Sequence, residues 1–148
     1  MPVNRQADET RSIVVERDIA HPPERIWRAL TQPHLLETWL ARMDFRPVVG
    51  HRFGLRMDPQ PGRTFLFDCE VLAVEPNRVL SYTWNSSGDD PDGLKSAVTW
   101  TLTPTDVGTR LRMEQSGFRP DQPLFYGGAR SGWRQFLGNL EQLLARID

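Results

Sequence analysis

The chain is 148 residues long, enough for one domain with a core of its own. Eighteen basic residues against nineteen acidic ones leave a formal charge of −1, and no basic stripe marks a nucleic-acid partner. The one cysteine, Cys69, excludes an internal disulfide, and no stretch is apolar over a membrane-spanning length.

The polar start, MPVNRQADETRS, lacks the apolar core of a signal peptide, so a cytoplasmic protein is expected. The sequon at Asn85 is then not expected to carry a glycan. Residues 1–11 read as a flexible tail and residues 12–148 as a single domain. In SIVVERDIA, Ile13, Val15 and Ile19 share one face opposite Glu16 and Asp18, the pattern of a half-buried strand. Pro22 and Pro23 then open a short helix with Ile26, Trp27 and Leu30 at helical spacing. Pro33 opens a second, with Leu35, Leu36 and Trp39.

The middle of the chain alternates with period two. One face collects Phe53, Leu55 and Met57, then Phe65, Phe67, Cys69 and Val71, then Leu80, Tyr82 and Trp84. It continues with Val98, Trp100 and Leu102, and with Leu111 and Met113; Leu66 and Leu72 blur the parity. The segments EPNR, NSSGDDPDG and TPTDVG between these stretches are turn chemistry. Consecutive strands of this kind make an antiparallel meander with one wet face.

The stretch from Gly127 to Ile147 reads as a long helix. Trp133, Phe136, Leu137, Leu140, Leu144 and Ile147 fall in one stripe, flanked by Leu143. Such a stripe must be buried against the sheet. The expected fold class is α+β, a curved antiparallel sheet of about six to seven strands wrapped around a long C-terminal helix, with two short helices after the first strand.

Three stretches in this order resemble one family. PPERIWRALTQPHLLETWL is similar to the early helix pair of the activator-of-heat-shock-protein-90-ATPase-like family, FDCEVLAVEPNRVLSYTW to its central hairpin, and SGWRQFLGNLEQLL to its final helix. The resemblance spans about residues 12–147 and implies the helix-grip fold of the START, polyketide-cyclase and birch-pollen-allergen superfamily. In that fold the long helix and curved sheet commonly enclose an apolar cavity. The 148 residues leave no room for the separate N-terminal domain of the eukaryotic co-chaperone, which argues against a chaperone partner.

Candidate chemistry is sparse. His21, His34 and His51 share no metal-ligand spacing, so no metal and no cofactor is expected. Asp89, Asp90 and Asp92 lack the closing glutamate of a calcium loop. No nucleophile motif and no catalytic residue is found, and Cys69 lies mid-strand among apolar neighbours. The residues expected to line a cavity are Phe53, Leu55, Phe67, Cys69, Tyr82, Trp84, Val98, Trp100, Met113, Trp133, Phe136, Leu137 and Leu140. Tyr82 is the expected polar handle, with Ser96 and Cys69 as weaker ones. His51, Arg130 and Arg134 are the candidate polar contacts at the rim; the two arginines, in the first turns of the last helix, call for a negative partner, first a carboxylate of the protein and as the alternative a carboxylate or phosphate of a ligand.

A filled aromatic core and an aromatic pocket fit this pattern equally well. A small apolar or amphipathic ligand is the first reading of function. A cyclase or dehydratase using the same cavity, and a chaperone-related or regulatory interaction domain, are the alternatives. A homodimer stays open.

Overall fold

The six alternating stretches become strands of a single antiparallel sheet, and a two-residue strand at Arg42–Met43 adds a seventh. In the computed structural model, which describes residues 10–147, they are β1 (Arg11–Ile19), β2 (Arg42–Met43), β3 (Arg52–Gln60), β4 (Arg63–Glu75), β5 (Val79–Ser86), β6 (Lys95–Thr105) and β7 (Gly108–Phe118). Their order across the sheet is β1-β7-β6-β5-β4-β3-β2. Of the tail expected over residues 1–11, residues 1–9 lie outside the described residues, and Arg11 already belongs to β1.

Register holds the apolar parity together. Leu55 faces Phe67, Tyr82 faces Val98, and Trp100 faces Met113 across neighbouring strands. Parity breaks in β4, where Val71 faces Tyr82 but Ala73 faces Ser81. Leu72 is therefore an extra residue, a bulge that turns its side chain outward and brings Val74 opposite Leu80. This is why Leu72 disturbs the alternation in the sequence. A second irregularity lies at Gly117, passed over between the pairs Arg11–Phe118 and Ser12–Ser116.

Three helices lie against the sheet: α1 (Pro23–Thr31), α2 (Pro33–Trp39) and α3 (Pro123–Arg146). Each carries a proline in its first turn, where a missing N–H costs nothing. The helix α3 starts at Pro123, four residues before the expected Gly127. Its start is tied to the β5–β6 loop, because the Gln122 side chain donates to the carbonyl of Asp92 at 2.8 Å. Tertiary anchoring of this kind lets the helix run through Gly127 and Gly128, which act as punctuation in an unanchored chain. At the other end, Arg25 of α1 donates to the Leu144 carbonyl at 2.9 Å, placing a cation at the negative helix end.

The buried face of α3 is Trp133, Leu137, Leu140, Leu143 and Leu144, with Phe136 and Ile147 half-buried beside it. Trp39 closes α2 onto the core: its indole N–H donates to the Ala29 carbonyl at 2.8 Å and its ring meets Trp100 edge-on at 5.8 Å. The result is the helix-grip arrangement. None of the described helices is long and apolar enough to cross a membrane.

Two glycines set opposite expectations. Gly117 has φ +113°, and a Cβ there would sit 2.5 Å from the Lys95 carbonyl oxygen. Gly138 is an exposed helix residue with open space around it. Gly117→Ala should destabilise by at least about 2 kcal/mol through strain and the forced shift of β6. Gly138→Ala should stabilise by about 0.5–1 kcal/mol through helix propensity. Urea denaturation of the two variants checks both signs.

Candidate functional site

The inward aromatic residues do not all line one space. Under the middle and C-terminal half of α3 they interlock. Trp39 meets Trp100, Trp100 meets Trp133 at 5.6 Å, and Trp133 meets Trp84 at 5.4 Å, all edge-to-face. Phe67 continues the chain from Trp84 at 5.3 Å, and Phe136 branches from Trp133 at 5.7 Å. A second cluster packs Phe45, Phe53 and Tyr82 against each other at 5.2–5.8 Å. These contacts fill the core there.

Under the N-terminal half of α3 the sheet and helix part. A cavity of about 1310 Å³, open to solvent on one side, lies between α3, the β3–β4 hairpin, the β5–β6 loop and the end of α2. The helix wall is Phe125, Gly128, Ala129, Gly132, Trp133 and Phe136. The opposite wall is Leu40, Ala41, Met57, Phe65, Phe67, Trp84 and Leu94, and the buried amides on the lining are Gln115 of β7 and Gln122 before α3. Small side chains on α3 are the local reason for the space.

The charged residues of this cavity stand at its mouth, where three arginines are paired with carboxylates and Arg63 lies over the Phe65 ring at 5.2 Å. Arg56 pairs with Asp58 at 3.1 Å, Arg42 with Glu37 at 3.3 Å, and Arg119 with Asp121 at 3.1 Å. The Thr64 hydroxyl donates to Asp58 at 2.6 Å, and with Arg56 it holds that carboxyl below its usual value. Deeper in, the polar groups are neutral. The Trp133 indole N–H donates to Gln115 Oε1 at 2.7 Å, and Gln115 Nε2 donates to Ser96 Oγ at 3.0 Å. Ser96 Oγ donates in turn to the Trp84 carbonyl at 2.6 Å.

Of the expected lining residues, Phe67, Trp84, Trp133 and Phe136 border the cavity. Phe53, Leu55, Cys69, Tyr82, Val98, Trp100, Met113, Leu137 and Leu140 are packed into the filled core instead. The three expected rim residues lie elsewhere. His51 stacks on Phe53 at 6.0 Å, and its Nε2 donates to the Asp44 carbonyl at 2.7 Å. Arg130 and Arg134 border a separate groove of about 520 Å³ along β1. Because α3 begins at Pro123, both sit well inside the helix, beyond the reach of its positive end. Sequence reading missed Gln115, although it continues the inward parity of Leu111 and Met113. Among the described residues, no three His, Cys, Asp or Glu side chains are grouped to hold a metal ion.

The family described as "Activator of Hsp90 ATPase homolog 1-like protein" matches residues 20–145. No curated protein matches the chain. Among solved structures, protein MLL2253 from Mesorhizobium loti is 62% identical, with TM-score 0.85 over 93% of this chain and 99% of that one. DynU16, a protein of the dynemicin biosynthetic locus, is 26% identical with TM-score 0.75, over 91% of this chain and 47% of DynU16. Protein CV1439 from Chromobacterium violaceum shares the fold at 24% identity and TM-score 0.79, over 92% of this chain and 99% of that one.

Two buried groups of the filled core titrate late. Burial pushes the Cys69 thiol from 9.0 up to about 12 and raises the Tyr82 hydroxyl above its ordinary value. A thiol kept neutral in the fold contributes fully below about 9, where the unfolded thiol is also neutral, and that contribution is lost as pH rises toward about 12. Unfolding midpoints in urea between pH 8 and pH 11 should therefore fall less steeply for Cys69→Ala than for the unmodified protein. The difference in slope should approach about 1 kcal/mol per pH unit above pH 9. Alkylation of native Cys69 at pH 8 should be negligible until the protein unfolds.

Proposed function

Given that the chain belongs to the Activator of Hsp90 ATPase homolog 1-like family, we propose that it is a binding protein for a small apolar or amphipathic molecule. The observation that carries this reading is the open cavity of about 1310 Å³ between the N-terminal half of α3 and the sheet. Its walls are largely apolar and aromatic, the composition of small-molecule sites. Each square ångström of apolar ligand surface buried there contributes about 25 cal/mol. The paired charges at the mouth keep the entrance wet and leave a polar end of the ligand in water.

The DynU16 match supports a small-molecule role, since that protein comes from a biosynthetic locus. A cyclase or dehydratase would need an acid–base pair inside the cavity. The buried polar side chains on the cavity lining, Gln115 and Gln122, are neutral amides, which favours binding over that alternative. The reading carries a cytoplasmic setting with it, in keeping with a lone buried thiol.

Gly128 offers a direct test. It lines the cavity, and a Cβ there meets nothing within 4 Å. Gly128→Leu should fill the mouth and also strengthen the helix by up to about 1 kcal/mol, raising Tm by about 2–3 °C. The probe 1-anilinonaphthalene-8-sulfonate should bind the unmodified protein saturably and the variant at least tenfold more weakly. Equal affinity in a stabilised variant would sink the cavity as the binding site. Native mass spectrometry of freshly purified protein, repeated after denaturation, identifies any molecule it carries.

A further inference from the structure

We infer that Gln115 is the residue that orients the ligand, and that the ligand carries an oxygen acceptor (a carbonyl, ether or hydroxyl) on an apolar body. The inference rests on the cavity reading above and names the chemistry that the cavity selects.

The inward face of β7 runs Leu111, Met113, Gln115, so an amide occupies a position that parity assigns to an apolar residue. Its side chain is only 1% exposed and forms part of the cavity wall. The orientation of the amide is fixed by its neighbours. An indole N–H can only donate, so the atom facing Trp133 is Oε1. Nε2 then faces Ser96, whose own proton goes to the Trp84 carbonyl. A primary amide offers two N–H donors and two acceptor lone pairs. Among the described residues, one N–H and one lone pair are used. The second N–H has no partner among the described residues.

Three features make this a prepared site. Gln115 is held on both sides, so a ligand need not immobilise it. The ring of Trp133, whose N–H holds the amide, and the ring of Trp84, whose carbonyl holds Ser96, also wall the cavity. The other buried polar side chains are engaged elsewhere: the Tyr82 hydroxyl accepts from the Trp100 indole at 3.0 Å, Ser96 Oγ donates to the Trp84 carbonyl, and Gln122 Nε2 donates to the Asp92 carbonyl of the β5–β6 loop. A hydrocarbon entering the cavity leaves the second N–H unmet, whereas an acceptor oxygen meets it. The expected discrimination is about tenfold.

The test uses two isosteric probes, 2-acetylnaphthalene and 2-isopropenylnaphthalene, each competed against 1-anilinonaphthalene-8-sulfonate. The ketone should bind the unmodified protein about tenfold more tightly than the hydrocarbon. In Gln115→Leu that preference should vanish while the hydrocarbon keeps its affinity. Gln115→Met serves if the leucine variant does not fold, and the two probes on the unmodified protein decide the matter without any variant. Equal affinities for the two probes overturn the role of Gln115 and leave the cavity standing. Loss of both probes by equal factors in the variant shows that Gln115 only supports Trp133, and also overturns it. If neither probe binds the unmodified protein, the cavity reading fails and this inference fails with it.

Discussion

The indole of Trp133 is where helix and sheet are joined. Its ring meets Trp84, Trp100 and Phe136 edge-on, and its N–H reaches across to Gln115 of β7. Burying such a ring removes on the order of 200 Å² from water, about 5 kcal/mol gross. Its hydrogen bond adds direction to that burial, because an indole N–H left unmet in the core would cost about 1–3 kcal/mol. Position along α3 gives Trp133 its second role. On the C-terminal side, Leu137, Leu140 and Leu144 pack down into the core. On the N-terminal side the wall-forming residues next to Trp133 are Gly132, Ala129 and Gly128, with Phe125 beyond them, and the cavity begins.

A helix that carries glycines on its cavity wall gives up about 1 kcal/mol at each. The fold tolerates this because α3 is held at three points. Gln122 ties its start to the β5–β6 loop, Trp133 ties its middle to the sheet, and Arg25 ties its last turn to α1. Between the first two points the helix can stand off from the sheet without being lost. Sheet shape works in the same direction. The Leu72 bulge keeps Val71 and Val74 both on the inner face, so β4 keeps its apolar lining through an irregular step.

Much of this was legible in the sequence, for reasons that differ by element. Strands β5 and β6 carry clean alternation because one face is buried and the other wet, so Leu80, Tyr82, Trp84, Val98 and Trp100 could be placed by parity alone. Parity cannot reveal a bulge, which is why Leu72 looked discordant, and Leu66 is an apolar residue on the exposed face in regular register. It also says nothing of loops, and the core draws Phe45 and Leu94 from outside regular elements. The helix stripe was readable from Trp133 onward, where packing demands size. Its first turns were not, because what holds them is a side-chain bond to a loop some thirty residues away. The division between filled core and cavity is set by three-dimensional distance between α3 and β4, which one-dimensional pattern does not encode. Hence Tyr82, central by sequence, is sealed among rings, while Gln115, at the far end of β7, borders the open space.

That division also decides where selectivity resides. The sequence offered Arg130 and Arg134 as rim contacts answered by a carboxylate of the protein or, as the sharper alternative, of a ligand, and both arginines border the groove along β1 instead. At the cavity mouth, Arg42, Arg56 and Arg119 are each matched by a carboxylate of the same chain. Exposed pairs of this kind contribute at most about 1 kcal/mol, and their fields largely cancel beyond a few ångströms. The mouth therefore attracts neither sign strongly. Discrimination between candidate molecules falls to the interior, where water is scarce and each unmet donor or acceptor weighs heavily. There the available terms are the size of the space left by Gly128, Ala129 and Gly132, the edges and faces of Trp84, Trp133, Phe67 and Phe136, and the amide of Gln115 on the wall.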